Sequence, residues 1–391
     1  MKQEKKKKRH IMPWVVLIIV IFGAAFLITY AHQTGRLDQI IAMVQQWTGI
    51  QQQVSETDGL PQESQNKIKT LENSQNYGFA AWKERIIMTS SNSVSLLDHK
   101  LNEIWYQSLS GETPSIATSS YGMVIYDKNG TSLSIITEDG KQTAVATDAL
   151  VSASINDKGY VTAMVNQPGY KGGVCVYDST GQALFKWNSG NWNILDAKIS
   201  NDGKILAVSL LDTSTGRASG NVMLFDIAVS EKPFAGTTYP DNMIAALKWI
   251  NNQTLYCIGD VSAFALSATG DQLWEYAYTG TLTQFAVGDN GILALNMQAY
   301  SSEPGKHGLV QFISASGKKT GEFTIEDEVK KLEVFKNDIY AMTLRDIYII
   351  SQTGKEKSKT SLDKDMRSAY IVKQNEALIF YGTKLEMVPL N

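Results

Sequence analysis

The chain repeats one short pattern along most of its length. An apolar run of strand length meets a polar turn at residues 98, 137, 178, 226, 267, 314, 351 and about 389, at spacings of 37 to 48 residues. The fullest copy runs from residue 263 to 278, with a strand, the turn Ala268-Thr269-Gly270 and a second strand through Trp274. A second hairpin precedes each copy, most clearly at Ser200-Asn201-Asp202-Gly203 and Gly288-Asp289-Asn290-Gly291. Asp-Gly and Asn-Gly pairs mark tight turns because glycine supplies the positive φ such turns require. Each repeat therefore holds four short strands, A to D, and four strands in about 40 residues make one propeller blade. The expectation is an all-β, eight-bladed β-propeller over residues 67–391. A composition of 17 Tyr and 8 Trp against 8 Pro suits strands.

The eighth repeat reaches the chain end without its D strand. Residues 66–72 align with 355–362, the D-strand region after the seventh anchor. Pairing residues 68–71 with 385–388 would close the ring and remove an exposed edge.

Ahead of the propeller, residues 1–10 carry six basic side chains against one Glu. Residues 11–31 carry no charge. As a helix they would span roughly 30 Å, one bilayer core, with Pro13 tolerated in the first turn. The basic tail on one side, and only Arg36 soon after on the other, predicts a single-pass anchor in the cytoplasmic membrane. The N-terminus is then inside and the propeller extracytoplasmic. A cleaved signal peptide is the alternative, but Thr29-Tyr30-Ala31 is a poor cleavage site and the apolar run is long for one. Residues 32–66 read as a stalk helix, with Leu37, Ile40, Ile41, Val44 and Trp47 on one face, followed by a linker.

At Ala263, Leu266, Thr269, Gly270, Leu273 and Trp274 the sequence resembles the quinoprotein-like (PQQ-like, WD-repeat-like) β-propellers. Their blades carry an Ala-x-Asp-x-x-Thr-Gly-x-x-x-Trp docking pattern whose Trp packs between neighbouring blades. Asp178-Ser179-Thr180-Gly181 matches its middle, with Trp187 displaced by two positions. Trp105 matches by position without the Thr-Gly. The resemblance favours non-enzymatic members such as membrane-assembly scaffolds over the dehydrogenases, whose adjacent Cys-Cys pair is absent. An anchored propeller is also similar to membrane-anchored envelope propellers of unknown function in Gram-positive bacteria, which implies location and not activity.

The functional classes narrow by chemistry. Formal net charge is −3, of which residues 1–10 contribute +5, leaving the remainder at −8. An acidic surface argues against nucleic-acid binding. Four scattered histidines, His10, His32, His99 and His307, form no metal motif, and no cofactor is expected. Asp98, Asp178 and Asp226 close C strands, where Asp side chains cap turns. Cys175 and Cys257 lie a whole blade apart, beyond the ~7 Å a disulfide allows. Long loops remain. B–C loops at 166–173, 212–220 and 298–308, and D–A connections at 188–193 and 228–242, would all fall on one face. They carry Tyr170, Lys171, Trp192, Arg217, Tyr239, Tyr300 and His307. Aromatic and Arg side chains dominate interface energies, so this face is the expected binding site for a protein or cell-wall ligand. The role read from this is a non-catalytic scaffold, with Trp192 either a solvent-facing contact or a cap on blades 3 and 4. The alternative is an extracytoplasmic carbohydrate-active hydrolase or lyase with an inward-facing carboxylate pair in the channel.

Overall fold

Eight antiparallel sheets of four strands each make up the structure, a computed structural model that describes residues 67–72, 76–109, 114–214, 216–298 and 308–390. Seven blades are built from four consecutive strands, in sequence order across the sheet. The A strands of most neighbouring blades contact one another, so A lies nearest the axis and D outermost. The anchors read from the sequence fall within one residue of the C-strand ends, as at Asp226 and Ser267.

The eighth blade takes its fourth strand from the start of the propeller. Ile68–Thr70 pairs antiparallel with Lys384–Pro389, with Ile68 opposite Glu386 and Thr70 opposite Lys384. Leu71 N–H donates to Thr383 O at 2.8 Å and Met387 N–H to Lys67 O at 2.9 Å, extending the ladder at both ends. The expected closure is therefore present.

The core lies between blades and not within them. Among the described residues the buried apolar side chains form eight clusters, each straddling one blade interface. At the seam, Phe79, Ile86 and Leu97 of blade 1 pack with Val372, Leu378 and Leu385 of blade 8. A blade is one sheet thick and cannot bury either face alone, so stability belongs to the interfaces. Cys175 and Cys257 are free and buried in separate interface clusters.

Local turn chemistry fixes where each strand stops. Asp178 Oδ1 accepts from the N–H groups of Thr180 at 2.8 Å and Gln182 at 3.0 Å. Gly181 takes φ 84° there. Asp98 accepts from Lys100 and Asn102 in the same way, with Leu101 forced to φ 67° where its counterpart has glycine. Asp226 Oδ1 accepts from Ala228 N–H at 3.1 Å. These carboxylates are turn caps, as their spacing implied.

The docking tryptophans also behave as the resemblance implies. Trp274 Nε1 donates to Ala315 O of the next blade at 3.0 Å. Gly317 lies against the indole, where an added Cβ would come within 2.6 Å of Trp274 Cγ. Trp105 Nε1 reaches Glu138 O of blade 2 at 3.4 Å. The displaced Trp187 instead tilts against Phe225 of blade 4, ring centroids 5.1 Å apart.

Hydrogen bonds and one ion pair on the face of the A–B and C–D turns join every neighbouring pair of blades. Trp82 Nε1 donates to Ser119 O (2.6 Å), Ser120 N–H to Asp157 Oδ1 (2.9 Å), and Asn156 Nδ2 to Ser200 O (2.8 Å). Asp202 N–H donates to Asn252 Oδ1 (3.0 Å), Lys248 Nζ to Val287 O (2.7 Å), and Asn290 Nδ2 to Lys336 O (3.1 Å). Tyr340 OH donates to Gln374 O at 2.7 Å, and Lys373 meets Glu84 across the seam at 3.8 Å.

One loop assignment is corrected. Residues 228–242 are not a single D–A connection. The C–D loop of blade 4 ends at residue 234, strand D follows as Ala235–Pro240, and only 241–243 lead to blade 5. The long part of this segment lies on the opposite face from the B–C loops. The reason is pairing: Gly236, Thr237 and Tyr239 stand opposite Met223, Val222 and Gly220 and complete the sheet despite a Gly and a Pro. The anchor (11–31), the stalk and linker (32–66), Tyr300 and His307 lie outside the described residues. No helix among the described residues is long and apolar enough to cross a membrane.

Candidate functional site

The B–C and D–A loops of blades 3 and 4 form one connected surface. Residues 167–171 join strands B (Val161–Asn166) and C (Gly172–Tyr177) of blade 3. Tyr170 N–H donates to Gln167 O at 3.0 Å, which tightens the loop, and Lys171 N–H donates to Ser189 O at 2.8 Å. Tyr170 is 51 % exposed at the tip and Lys171 is exposed beside it. The buried Ser189 ends strand D of the same blade. Its hydroxyl donates to Trp192 O at 2.6 Å and accepts from Trp192 N–H at 3.3 Å. Ser189 thus ties Tyr170, Lys171 and Trp192 into one framework.

Trp192 is not solvent-facing. It is half-buried and packs on the blade 3–4 cluster beside Ile194 and Trp187. It lies over an apolar cluster drawn from strands of both blades and so caps it. Its indole also reaches Asp212 at the end of blade 4 strand B. The Ser214 N–H, 2.8 Å away, is the largest influence holding that carboxyl below its usual range, and the indole adds to it. Arg217 is exposed in the next loop and pairs loosely with Asp241 at 3.6 Å. Tyr239 is buried on strand D of blade 4, stacked on Phe264 with centroids 4.0 Å apart. It belongs to the blade 4–5 core and not to the loop surface. The five sequence-predicted residues that the structure describes thus divide into three exposed ones (Tyr170, Lys171 and Arg217), one cap (Trp192) and one core residue (Tyr239).

The innermost strands carry carboxylates, which an enzyme in the channel would need. Asp196 Oδ1 meets Lys198 Nζ at 2.8 Å, and its Oδ2 accepts from Leu247 N–H of blade 5 at 2.8 Å. Glu333 meets Lys331 Nζ at 2.6 Å and accepts from Ile371 N–H of blade 8 at 3.0 Å. In each carboxylate one oxygen meets a lysine of its own A strand and the other joins that strand to the A strand of the next blade. Among the described residues no three His, Cys, Asp or Glu side chains gather as metal ligands. A cavity of about 490 Å³ is an open groove between the outer parts of blades 2 and 3. It is lined by Cys175, Tyr177, Leu184 and the Lys186–Asp148 ion pair, and includes none of the loop residues above. Burial pushes the Cys175 thiol up, away from nucleophilic chemistry.

Solved structures share this architecture. The chain is similar to Sqt1 of Saccharomyces cerevisiae, with a TM-score of 0.60 and 11% identity over 83% of this chain and 99% of that one. It is similar to BamB of Moraxella catarrhalis, with a TM-score of 0.50 and 11% identity over 83% and 100%. It is also similar to the dihydro-heme d1 dehydrogenase NirN in complex with DHE, with a TM-score of 0.53 and 11% identity over 85% and 76%. At these identities the likeness shows the propeller fold alone. No curated protein sequence matches the chain. In sequence, residues 60–390 match DUF5711, a family of unknown function, and the chain belongs to that family.

Proposed function

We propose that this protein is a non-catalytic binding scaffold. Residues 11–31 hold it in the cytoplasmic membrane, the propeller lies on the extracytoplasmic side, and the loop face of blades 3 and 4 takes a protein or cell-wall ligand. The observation that carries this reading is the pairing of exposed Tyr170 and Lys171 with a loop base fixed through Ser189. A rigid base with an aromatic tip lowers the entropy lost on binding. The engagement of Asp196 and Glu333 in inter-blade bonds weighs against chemistry in the channel.

A photo-crosslinking amino acid placed at Tyr170 in living cells should yield a discrete adduct. The same group at Lys158, exposed on the opposite face, should yield none. Equal adducts from both positions, or none from either, would end the reading. Location is tested separately with Lys158→Cys, since both native cysteines are buried. A membrane-impermeant maleimide should label it in intact cells, and labelling only after lysis would place the propeller inside.

A further inference from the structure

Every blade ends in a strand edge, and open edges recruit other strands, so proteins blunt them with charge, proline or a bulge. Seven of the eight D strands carry a charged residue or, in blade 4, Pro240. Strand D of blade 2, Gln142–Ala146, carries neither. It also pairs with strand C (Ser132–Thr137) without a register shift. Thr137 N–H donates to Lys141 O at 3.1 Å and Thr147 N–H to Thr131 O at 2.8 Å. Backbone groups alternate sides along an antiparallel ladder. Lys141, Thr143, Val145 and Thr147 therefore turn theirs to strand C, and Gln142, Ala144 and Ala146 turn theirs outward, at exposed positions.

The open groove of about 490 Å³ lies beside this edge. Ala146 stands on one wall, and Cys175, Tyr177 and Leu184 of blade 3 on the other, with Leu184 40 % exposed. Asp148 and Lys186 pair across it at 2.8 Å, but both side chains are exposed, and such pairs contribute little. We infer that strand D of blade 2 takes up an extended peptide of a partner protein as a fifth strand, with alternate apolar side chains entering the groove. The occupant is a strand because a row of outward N–H and C=O groups is matched by extended backbone. A second copy of this strand fits less well. The side chains it would turn to that side, Thr143 and Val145, already pack against their own blade 3: Val145 is 5 % exposed, and a Cβ at Gly181 would meet Thr143 at 3.2 Å. They would leave the groove empty, whereas a free segment brings side chains of its own.

The edge lies on the rim and does not depend on the loop face of blades 3 and 4. Its test uses the full chain and the peptide acetyl-Thr-Val-Thr-Val-Thr-Glu-Lys-amide with fluorescein on the lysine. Cross-strand neighbours share a face. Peptide residues opposite Ala144 bond the edge, and those opposite Thr143 and Val145 send side chains to the groove while their N–H groups face solvent. Fluorescence anisotropy should rise saturably with protein. N-methylation of the central threonine should weaken binding at least about tenfold, and N-methylation of the second valine should leave it unchanged. Ala144→Pro removes an N–H that is turned outward, a place where an edge strand tolerates proline, and should abolish binding. Leu184→Asp, at an exposed position, should weaken it. Should Ala144→Pro not fold, the two methylated peptides and Leu184→Asp still decide. No saturable binding, equal weakening by both methylations, or full binding to Ala144→Pro would each overturn the site. A dimer in sedimentation that Ala144→Pro dissolves would overturn it too, by giving the edge to a second copy.

Discussion

The two faces of the ring are stabilised differently. On the A–B and C–D side, polar contacts bridge all eight blade interfaces in turn, from Trp82 and Ser119 round to Lys373 and Glu84. Apart from the C–D loop of blade 4, residues 227–234, the turns there are short, and several are capped by their own Asp, Asn or Ser side chains. On the B–C and D–A side the loops differ in length, and bonds within a blade, such as Lys171 to Ser189, do more of the work. One face is bridged at every blade interface, while on the other loop length varies and bridges between blades are local, as where Asn129 N–H donates to Leu150 O at 2.7 Å. Binding surfaces are commonly set on such variable loops over a rigid scaffold.

Closure should show the largest effect. Removing residues 67–72 takes away the strand opposite Glu386, Leu385 and Lys384 and strips Leu71 from the seam cluster. The exposed edge should recruit other chains, giving high-molecular-weight species in size-exclusion chromatography. A soluble monomer with unchanged melting temperature would show that the ring does not depend on its seam.

Next in size is Trp192, which tests whether the loop face contains a piece of core. Trp192→Ala should cost about 3 kcal/mol, the low end for a buried aromatic truncation, because the cap is only half-buried. Urea unfolding reads this directly. A cost below about 0.5 kcal/mol would be that of a surface residue and would return Trp192 to the set of free contact residues.

Acid should separate the faces by a smaller margin. Burial acts to raise the Asp178 and Asp202 carboxyls, but their turn hydrogen bonds prevail and hold both below the usual range. Lys83, hydrogen-bonded at 2.6 Å, does the same for Glu138. A carboxyl with a lower pKa folded than unfolded stabilises the fold above its unfolded pKa, and that contribution is lost as pH falls through the folded value. On the loop face among blades 3 and 4, Asp212 alone is lowered by such bonds. Hydrogen exchange at falling pH should therefore quicken first in the A–B and C–D turns. Quickening first at residues 167–171 would reverse the comparison.

Blade number and closure were legible in the sequence because turn chemistry is local. An Asp or Ser accepting from the N–H groups two and four residues on, with Gly three on, marks a strand end without tertiary information. Tyr239 was misplaced for the converse reason. Ala235-Gly236-Thr237-Thr238-Tyr239-Pro240 reads as a loop by propensity, and only pairing with strand C of blade 4 makes it a strand. Trp192 looked exposed because its neighbours Asn191 and Asn193 are polar, while the apolar shelf beneath it comes from strands of two blades. Asn296 gave no signal at all, since its bond to Thr283 depends on a bulge in the strand opposite.

The smallest effect on stability should come from Tyr170, and it bears most directly on function. Its side chain is half exposed at a loop tip, while the backbone bonds at Tyr170 and Lys171 hold the loop without it. Tyr170→Ala should therefore change stability by less than about 0.5 kcal/mol. If the loop face binds as proposed, capture from a photo-crosslinker moved to Lys171 should nevertheless fall about tenfold, equivalent to ~1.4 kcal/mol. The contrast with Trp192 is the point of the test. Trp192→Ala should lower stability and disturb capture through the loop it supports, whereas Tyr170→Ala should disturb capture alone. If Tyr170→Ala leaves capture intact, the aromatic tip is not the contact, and the exposed Arg217 of blade 4 becomes the residue to test on the same surface.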